Sequence, residues 1–230
     1  YERFALASWQ SFQVALLELN PRRSTGWPLL KLYYAAFFAA HALMRLCGEA
    51  VFKLERPQVE VLQVAADAAT GAPIPISSGM YAIRLREEAP GRLFASINKQ
   101  SDAHGAHEGF WVMFDQFLQR QVDRAVIDRA PDAASFLAGV SEVQPALRPH
   151  KTRRSVWLSA VRNEINYQHK HGAWHPLKLD AAALSLLSGV SSKASSAIRL
   201  DYSLDKSTTS AFINTSHFLA ALNFEAAEFV

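Results

Sequence analysis

The sequence has a single cysteine, Cys47, among its 230 residues, so it cannot form an internal disulfide. This favours a reducing compartment. Long hydrophobic runs are also missing: the longest, Leu32–Met44, includes His41 and falls short of the roughly 20 apolar residues that cross a bilayer. We recognise no secretory leader. We therefore expect a cytoplasmic protein with no membrane partner.

Two common catalytic signatures are absent from the sequence. It contains no Gly-rich phosphate loop and no Gly-x-Ser-x-Gly elbow, so a phosphate-loop NTPase and a serine hydrolase lack support. Its charges are nearly balanced, with a net charge of +3 and 50% hydrophobic residues. The isoelectric point is about 9.1. Such a mildly basic globular chain is compatible with nucleic-acid binding but does not require it.

Apolar residues recur at helical spacing through most of the chain, and we predict an all-α fold in one domain, 1–230. The weak pattern between 51 and 107, rich in proline and glycine at its centre, predicts a loop-rich insertion with a short strand pair. The predicted helices cover residues 3–19, a buried central helix from Ser24 or Thr25 to Gly48, 107–130, 132–143, and a C-terminal helix over 207–230.

One polar stretch in the second half of the chain combines arginine, amides, glutamate and histidines: AVRNEINYQHKHGAWHP. If a helix runs from Ser155 to about Lys170, then at 100° per residue Arg162 and His169 lie within about 20° of each other. Asn166 lies one turn along the same edge. This predicts a half-buried polar row suited to a cleft or an interface, beside an apolar stripe of Trp157, Leu158, Val161 and Ile165.

Arg162 and His169 are separated by six residues, and Asn163 directly follows the arginine. This arrangement resembles the signature of the HEPN superfamily of all-helical ribonucleases and nucleotide-binding modules. The upstream segment LYYAAFFAAHAL also resembles the aromatic and alanine helix of many prokaryotic HEPN domains, although the histidine that often follows the aromatic pair is displaced here to His41. The resemblance implies a HEPN-like helical bundle, and it leaves 51–107 without a counterpart.

The resemblance also implies a metal-independent endoribonuclease with no cofactor, acting in a toxin or antiviral defence system. In such enzymes a ribose 2′-hydroxyl attacks the adjacent phosphate and leaves a cyclic phosphate and a free 5′-hydroxyl. The residue types fit this chemistry. Histidine exchanges protons near neutral pH, so His169 is the candidate acid or base. Arg162 would hold the phosphate as negative charge grows on its oxygens, and Asn163 and Asn166 would orient these groups.

The same residues have structural alternatives. Arg162 could pair with Glu164 or with a backbone carbonyl. His169 could simply end the helix, where a cation meets the negative end of the helix dipole. A zinc site of His169, His171 and His175 is a further alternative, although the first two point to different sides of a continuing helix. His41 is expected to be a hydrogen-bonded core side chain, and His104 and His107 are expected to have no chemical role.

The basic run RPHKTRR directly precedes the motif helix. It is either a solvated linker or a segment that contacts RNA phosphates. In the second case Arg148, Lys151, Arg153 and Arg154 bind RNA. Trp174, at the other end of the motif, either docks on the core or stacks a base.

One motif supplies a single histidine and a single arginine, whereas in-line attack is best served by an acid and a base on opposite sides of the phosphate. We therefore predict a homodimer that brings two motif helices together, with the contact at Leu158, Arg162 and Ile165. RNA and an antitoxin or defence-system protein are the other expected partners. The alternative function is a catalytically silent HEPN-like interaction module that holds a nucleotidyltransferase-like or effector partner.

Overall fold

The computed structural model describes residues 1–18, 24–73, 75–100, 105–131, 133–148, 156–174 and 208–227. Within these residues the protein is mostly helical, with seven helices and one antiparallel sheet of three strands. In chain order the elements are α1 (Glu2–Leu17), α2 (Gly26–Leu46), β1 (Glu49–Leu54), α3 (Arg56–Thr70), β2 (Gly79–Ala89), β3 (Arg92–Lys99), α4 (Ala106–Ile127), α5 (Ala133–Leu147), α6 (Trp157–Gln168) and α7 (Thr208–Ala227).

Helix α2 forms the centre of the fold, as its largely apolar sequence predicts. It contacts α1, α4, α6, α7 and strand β1. Its buried positions include several alanines, whose small side chains let neighbouring helices approach closely. In one such approach the Ser8 hydroxyl of α1 donates to the carbonyl of Ala35 at 2.9 Å. No helix in the described part of the chain is both long enough and apolar enough to span a membrane.

His41 lies inside this core, and the prediction of a hydrogen-bonded core histidine is confirmed. Its Nδ1 lies 3.1 Å from Nη1 of Arg45, and its ring stacks on Phe110 with centroids 3.9 Å apart. Burial, together with the nearby Arg45 charge, lowers the pKa of His41 to about 3. The imidazole is therefore neutral at physiological pH, which suits its aromatic surroundings.

The segment predicted to be a loop-rich insertion is mostly regular structure, so the all-α prediction was incomplete. Strands β1, β2 and β3 form a sheet in that order, with Val51 opposite Ala82 and Ile83 opposite Ile97. The sheet begins at Glu49, before the expected boundary. The brief alternation of the sequence MYAIRLRE, which indicates a strand, lies within β2.

Helix α3 is the other element that the sequence pattern concealed. None of its residues is buried, and Pro57 lies in its first turn, so it has no buried stripe to reveal it. The best sequence signal for α3 was local, because Gln58 follows Glu55 by three residues, the spacing of a helix-capping pair. In the structure the Gln58 side chain accepts a hydrogen bond from the backbone N–H of Glu55 at 2.9 Å.

The remaining helices lie where they were predicted, although α5 runs to Leu147 rather than ending at 143. Helix α7 packs Phe212, Ile213 and Leu219 into the core beside α2, as expected for the C-terminal helix. Helix α4 places Phe110, Met113, Phe114, Phe117 and Val122 on its buried side, at the spacing of an amphipathic helix.

Candidate functional site

Helix α6 carries the motif arginine, and its predicted apolar stripe is confirmed: Trp157, Leu158, Val161 and Ile165 are all buried. This burial corrects one expectation. Leu158 and Ile165 are each 0% exposed within a single chain, so they are not available as the contact surface of a homodimer.

Arg162 is more deeply buried than the predicted edge position implied, with 9% of its surface exposed. Its Nη2 donates to the hydroxyl of Tyr34, and its Nη1 donates to Oδ1 of Asn163 at 2.8 Å and to the hydroxyl of Tyr167 at 3.5 Å. Three tyrosine rings surround the guanidinium, with centroids 5.4–5.9 Å from its central carbon. The third tyrosine is Tyr33 of α2.

All of these partners are neutral oxygens. In the described ranges no carboxylate pairs with Arg162, and its buried Nε has no hydrogen-bond partner. The alternative pairing with Glu164 is wrong, because that carboxylate binds His171 at 2.8 Å and lies 3.7 Å from Lys170. Burial lowers the pKa of Arg162, but hydrogen bonds to Tyr34 and Tyr167 outweigh it and the pKa is raised. The site therefore holds a permanent buried cation.

His169 lies just beyond the end of α6. The helix ends at Gln168, about two residues earlier than predicted, and His169 adopts a left-handed backbone with φ of 51°. Its side chain is exposed, and its ring lies against Trp174 with centroids 5.6 Å apart. Within the described residues no hydrogen bond joins His169 to Arg162. The structural alternative, that His169 ends the helix, describes its position correctly.

The turn after α6 folds back onto the start of α2. The Ala173 carbonyl accepts hydrogen bonds from the Thr25 N–H at 2.8 Å and from the Ser24 hydroxyl at 3.1 Å. The Trp174 indole donates to the carbonyl of Ile165. Its ring covers Gly26 so closely that a Cβ there would lie 2.6 Å from the indole. Trp174 is therefore docked on the core, which was one of its two predicted settings.

The two asparagines of the motif differ in their surroundings. Asn163 is exposed and receives a hydrogen bond from Arg162 through Oδ1, so its amide nitrogen remains available as a donor. Asn166 is half-buried, and its side chain makes no hydrogen bond within the described part of the chain. Asn163 is thus the asparagine that the structure joins to Arg162.

A pocket of about 200 Å³ opens beside Asn163, between α6 and the first turn of α4. Its walls are residues 105–108 of the α4 start together with Ser159, Ala160 and Asn163. His107, for which no chemical role was predicted, is one of these wall residues. Its Nδ1 lies 3.3 Å from the Tyr33 hydroxyl, and its ring packs on Phe37 with centroids 4.6 Å apart.

The structure thus brings His107 close to the motif arginine. Burial and the Arg162 charge both lower the pKa of His107. No sequence spacing could have revealed this neighbour, because the tyrosines of α2, distant in sequence from both, bring His107 and Arg162 together. The usable signal was weaker: a histidine in the first turn of a helix that begins after glycine, where backbone N–H groups are left free.

The remaining predicted binding residues are only partly within the described ranges. Arg148 is exposed and forms an ion pair with Asp115 at 2.8 Å. Lys151, Arg153 and Arg154 lie outside the described residues, as does His175. Among the residues that are described, no group of three or more His, Cys, Asp and Glu side chains could hold a metal ion.

Comparisons with protein-family models, curated proteins and solved structures found no match to this chain. The HEPN-like assignment therefore stays a prediction that rests on Arg162, Asn163, His169 and the aromatic helix α2.

Proposed function

We propose that the protein is a metal-independent endoribonuclease that acts in the cytoplasm as part of a toxin or antiviral defence system. The observation that best supports this is the setting of Arg162, a cation that is nine-tenths buried among neutral oxygens. Burying a charge without a counter-charge is costly, and a bound anion offsets that cost. Guanidinium groups bind phosphate through parallel N–H bonds, so an RNA phosphate is a suitable anion.

Tyr167 is the partner of Arg162 that a phosphate can most easily replace. Its hydroxyl lies 3.5 Å from Nη1, a long hydrogen bond, and its side chain is 70% exposed. By contrast, Tyr34 and Asn163 make shorter bonds to the guanidinium and would keep it oriented. This division supports a guanidinium that is held from one side and accepts a phosphate from the other.

His169 supplies the proton transfer in this proposal. A ribose 2′-hydroxyl gives its proton to the exposed imidazole as its oxygen attacks phosphorus, and the bond from phosphorus to the 5′-oxygen breaks as that oxygen takes a proton from water. The products are a cyclic phosphate and a 5′-hydroxyl. Arg162 stabilises the charge on the phosphate oxygens, Asn163 and Asn166 orient the reacting groups, and Arg148, Lys151, Arg153 and Arg154 are proposed to contact the rest of the RNA.

The direct test is cleavage of mixed cellular RNA by the purified protein in the presence of a chelator. We expect products with 5′-hydroxyl and cyclic phosphate ends, and no cleavage of DNA, which lacks the attacking hydroxyl. Loss of cleavage in chelator that zinc restores would point to a metal enzyme instead. Wild-type protein that cuts no RNA would contradict the proposal.

A second candidate function is a catalytically silent interaction module that holds a nucleotidyltransferase-like or effector partner. The observation that favours it lies in the small sheet. Every residue of β3 is exposed, including Leu93 at 71% and Ile97 at 52%, and Val61 and Val64 of α3 are each 71% exposed. Such exposed apolar side chains are typical of protein contacts. Failure to cut RNA, together with a stable complex through this sheet, would favour the module.

We also propose that the enzyme works as a homodimer and that an antitoxin or defence-system protein regulates it. The contact cannot involve Leu158 or Ile165, which the single chain already buries. Its test is the solution mass at the dilution used for cleavage, followed by mixing chains that carry Arg162→Ala or His169→Asn. Recovery of activity in the mixture would indicate a site shared by two chains.

A further inference from the structure

Strand β3 forms the open edge of the small sheet. It has β2 on one side and, among the described strands, none on the other. All of its residues, Arg92–Lys99, are exposed. Strand β1 pairs with β2 only from Gly79 to Arg84, so the outer part of the sheet is a ribbon of two strands. Such ribbons are marginally stable in water, whereas three or more strands with an apolar face are stable.

The register of the sheet shows which backbone groups of β3 point to the open edge. The N–H of Gln100 donates to the Met80 carbonyl at 2.8 Å. In an antiparallel ladder every second residue bonds to the same neighbour, so the even-numbered residues of β3 bond to β2. The N–H and C=O groups of Leu93, Ala95 and Ile97 therefore point away from β2, where they can bond to another strand.

The middle of β3 lacks the features that usually protect an edge strand from pairing. Natural proteins protect such strands with proline, with charged side chains or with a bulge. Between Arg92 and Lys99 the sequence LFASIN contains no proline and no charged residue. The irregular register between Glu87 and Ala89 lies near the turn of the ribbon. The middle of the edge is therefore open to pairing.

The apolar side chains of β3 are arranged symmetrically about Ala95. A two-fold axis through Ala95, perpendicular to the sheet, sets two copies of β3 antiparallel and edge to edge. Leu93 of one copy then lies opposite Ile97 of the other, and Ala95 lies opposite itself. Leu93 and Ile97 are 71% and 52% exposed in the single chain and share one face of the sheet. Because their backbone groups point outward, each of these pairs can exchange two hydrogen bonds.

The other face of β3 is also complementary to itself in this arrangement. Phe94 of one copy lies opposite Ser96 of the other, so a large side chain meets a small one. Arg92 lies opposite Asn98, so no like charges are opposed, which would destabilise the pairing. The match in size and charge extends from Arg92 to Asn98, and it favours a second copy of this chain over an unrelated strand.

We propose that β3 binds a second copy of this chain edge to edge, with Ala95 on the two-fold axis. The three strands of each chain then form one continuous sheet of six. The interface is one strand wide, so we expect a weak dimer that dissociates on dilution, in the class of contacts below about 1,200 Å². The contact involves no residue of α6. It is therefore independent of the proposed ribonuclease and of the dimer proposed for cleavage.

The first test is the solution mass, measured by sedimentation over a concentration series. Wild-type protein should pass from monomer to dimer as its concentration rises. Leu93→Lys should raise the dissociation constant about tenfold, because the apolar pair with Ile97 is lost twice across the axis. Val64→Lys is the matched control, since Val64 of α3 is also 71% exposed but is not part of the edge. It should dimerise like wild type. A protein that stays monomeric throughout, or a Leu93→Lys dimer as tight as wild type, would overturn the proposal.

A double variant tests the register. Adding Ile97→Glu to Leu93→Lys places a negative charge opposite the positive one across the axis, so the double variant should dimerise more tightly than either single variant. Within one chain the two positions are about 13 Å apart along the strand and do not face each other. Failure of the double variant to recover affinity would contradict this register.

Cysteine cross-linking tests the position of the axis. In a Cys47→Ser background, which removes the exposed native thiol, Ala95→Cys places one thiol on each side of the axis. The Cα atoms of such a pair are about 5.5 Å apart, so oxidation should join the chains. Leu93→Cys is the matched control, because its two copies are about 14 Å apart and should stay separate. Cross-linking of Leu93→Cys but not of Ala95→Cys would show that the axis lies elsewhere.

Cleavage assays on the same variants keep this proposal apart from the proposed function. A dimer that Leu93→Lys weakens, in a protein that cuts no RNA, would support the edge contact and contradict the ribonuclease. Cleavage by a protein whose mass does not respond to Leu93→Lys would do the reverse. Unfolding of these variants should be measured at dilutions where the dimer is dissociated, so that it reports the stability of the single chain.

Discussion

The middle of helix α6 and the turn that follows it place the two proposed catalytic side chains in opposite settings. Arg162 is built into the protein, with tyrosines of α2 on one side and Tyr167 on the other. His169 lies past the helix end, is exposed, and has the Trp174 ring beside it. Arg162 and His169, which their spacing predicts to lie in one polar row, are therefore one core residue and one surface residue. Substitutions at Arg162 should therefore affect both stability and cleavage, whereas substitutions at His169 should affect cleavage alone.

The largest combined effect, on cleavage and on stability together, is expected for Arg162→Ala. It removes the proposed phosphate ligand, so cleavage should fall by about 100- to 1000-fold. It also removes an aliphatic stem packed among three rings, which should lower the free energy of unfolding by about 1–2 kcal/mol. Initial rates and urea denaturation measure the two effects. Arg162→Lys keeps the charge but loses the planar fork, so it should recover stability without recovering most of the activity.

A fully active Arg162→Ala protein would contradict the proposal that the buried arginine binds the phosphate. A variant that loses activity with no loss of stability would place the arginine on the surface instead.

The setting of Arg162 illustrates what the sequence could and could not predict. Helical periodicity gave the direction of each side chain on α6, and the apolar stripe that it predicted is buried. Periodicity could not predict which residues of other helices surround Arg162. Tyr34 lies 128 residues before Arg162 along the chain, and His107 approaches from a third helix. Long-range packing of this kind leaves no local pattern, which is why Arg162 was placed at an edge and His107 was assigned no role.

The end of α6 was missed for a different reason. We predicted a helix to about Lys170, and Gly172 stands just beyond it, where glycine is the usual residue in a left-handed helix cap. The chain instead turns earlier, with positive φ at His169, His171 and Gly172 in succession. The docking of Trp174 and the pairing of His171 with Glu164 hold these unusual conformations. Such compensation comes from tertiary contacts and cannot be deduced from residue preferences.

The second prediction concerns the exposed end of α6. His169→Asn should lower cleavage by about 100- to 10,000-fold, since it removes the proposed proton-transfer group. Stability should change by less than about 0.5 kcal/mol, because the site is exposed and asparagine tolerates left-handed backbone. His171→Asn is the control for damage to the turn: it makes the same change at φ of 61° and removes the contact with Glu164, so it should cost more stability but keep more activity than His169→Asn. Equal activity losses in the two variants would indicate damage to the turn rather than lost chemistry.

The third prediction tests how the turn holds His169 in place. Gly26→Ala puts a Cβ 2.6 Å from the Trp174 ring, so the indole must move. We expect a loss of about 1–3 kcal/mol in stability, as in other overpacked sites. Cleavage should fall by less than in His169→Asn, because the imidazole remains present but loses its ring neighbour. Thermal unfolding and cleavage rates measure this, with Gly105→Ala as the same substitution in open space. If Gly26→Ala behaves like that control, Trp174 does not position His169.

The smallest effect is expected outside α6, on the exposed sheet, where neither setting applies. Leu93 in β3 is 71% exposed and lies opposite Glu87 of β2. Leu93→Lys places a positive charge opposite a negative one, which stabilises antiparallel pairs by about 0.2–1 kcal/mol. We therefore expect equal or slightly higher stability and an unchanged cleavage rate, measured by urea denaturation and RNA cleavage.

Leu93→Glu is the matched control, since it should lose the gain in stability through like-charge repulsion while cutting RNA equally well. Loss of cleavage in both variants would mean that the sheet contributes to the RNA site. If the protein instead acts as an interaction module, both charges would weaken partner binding while the fold stays intact.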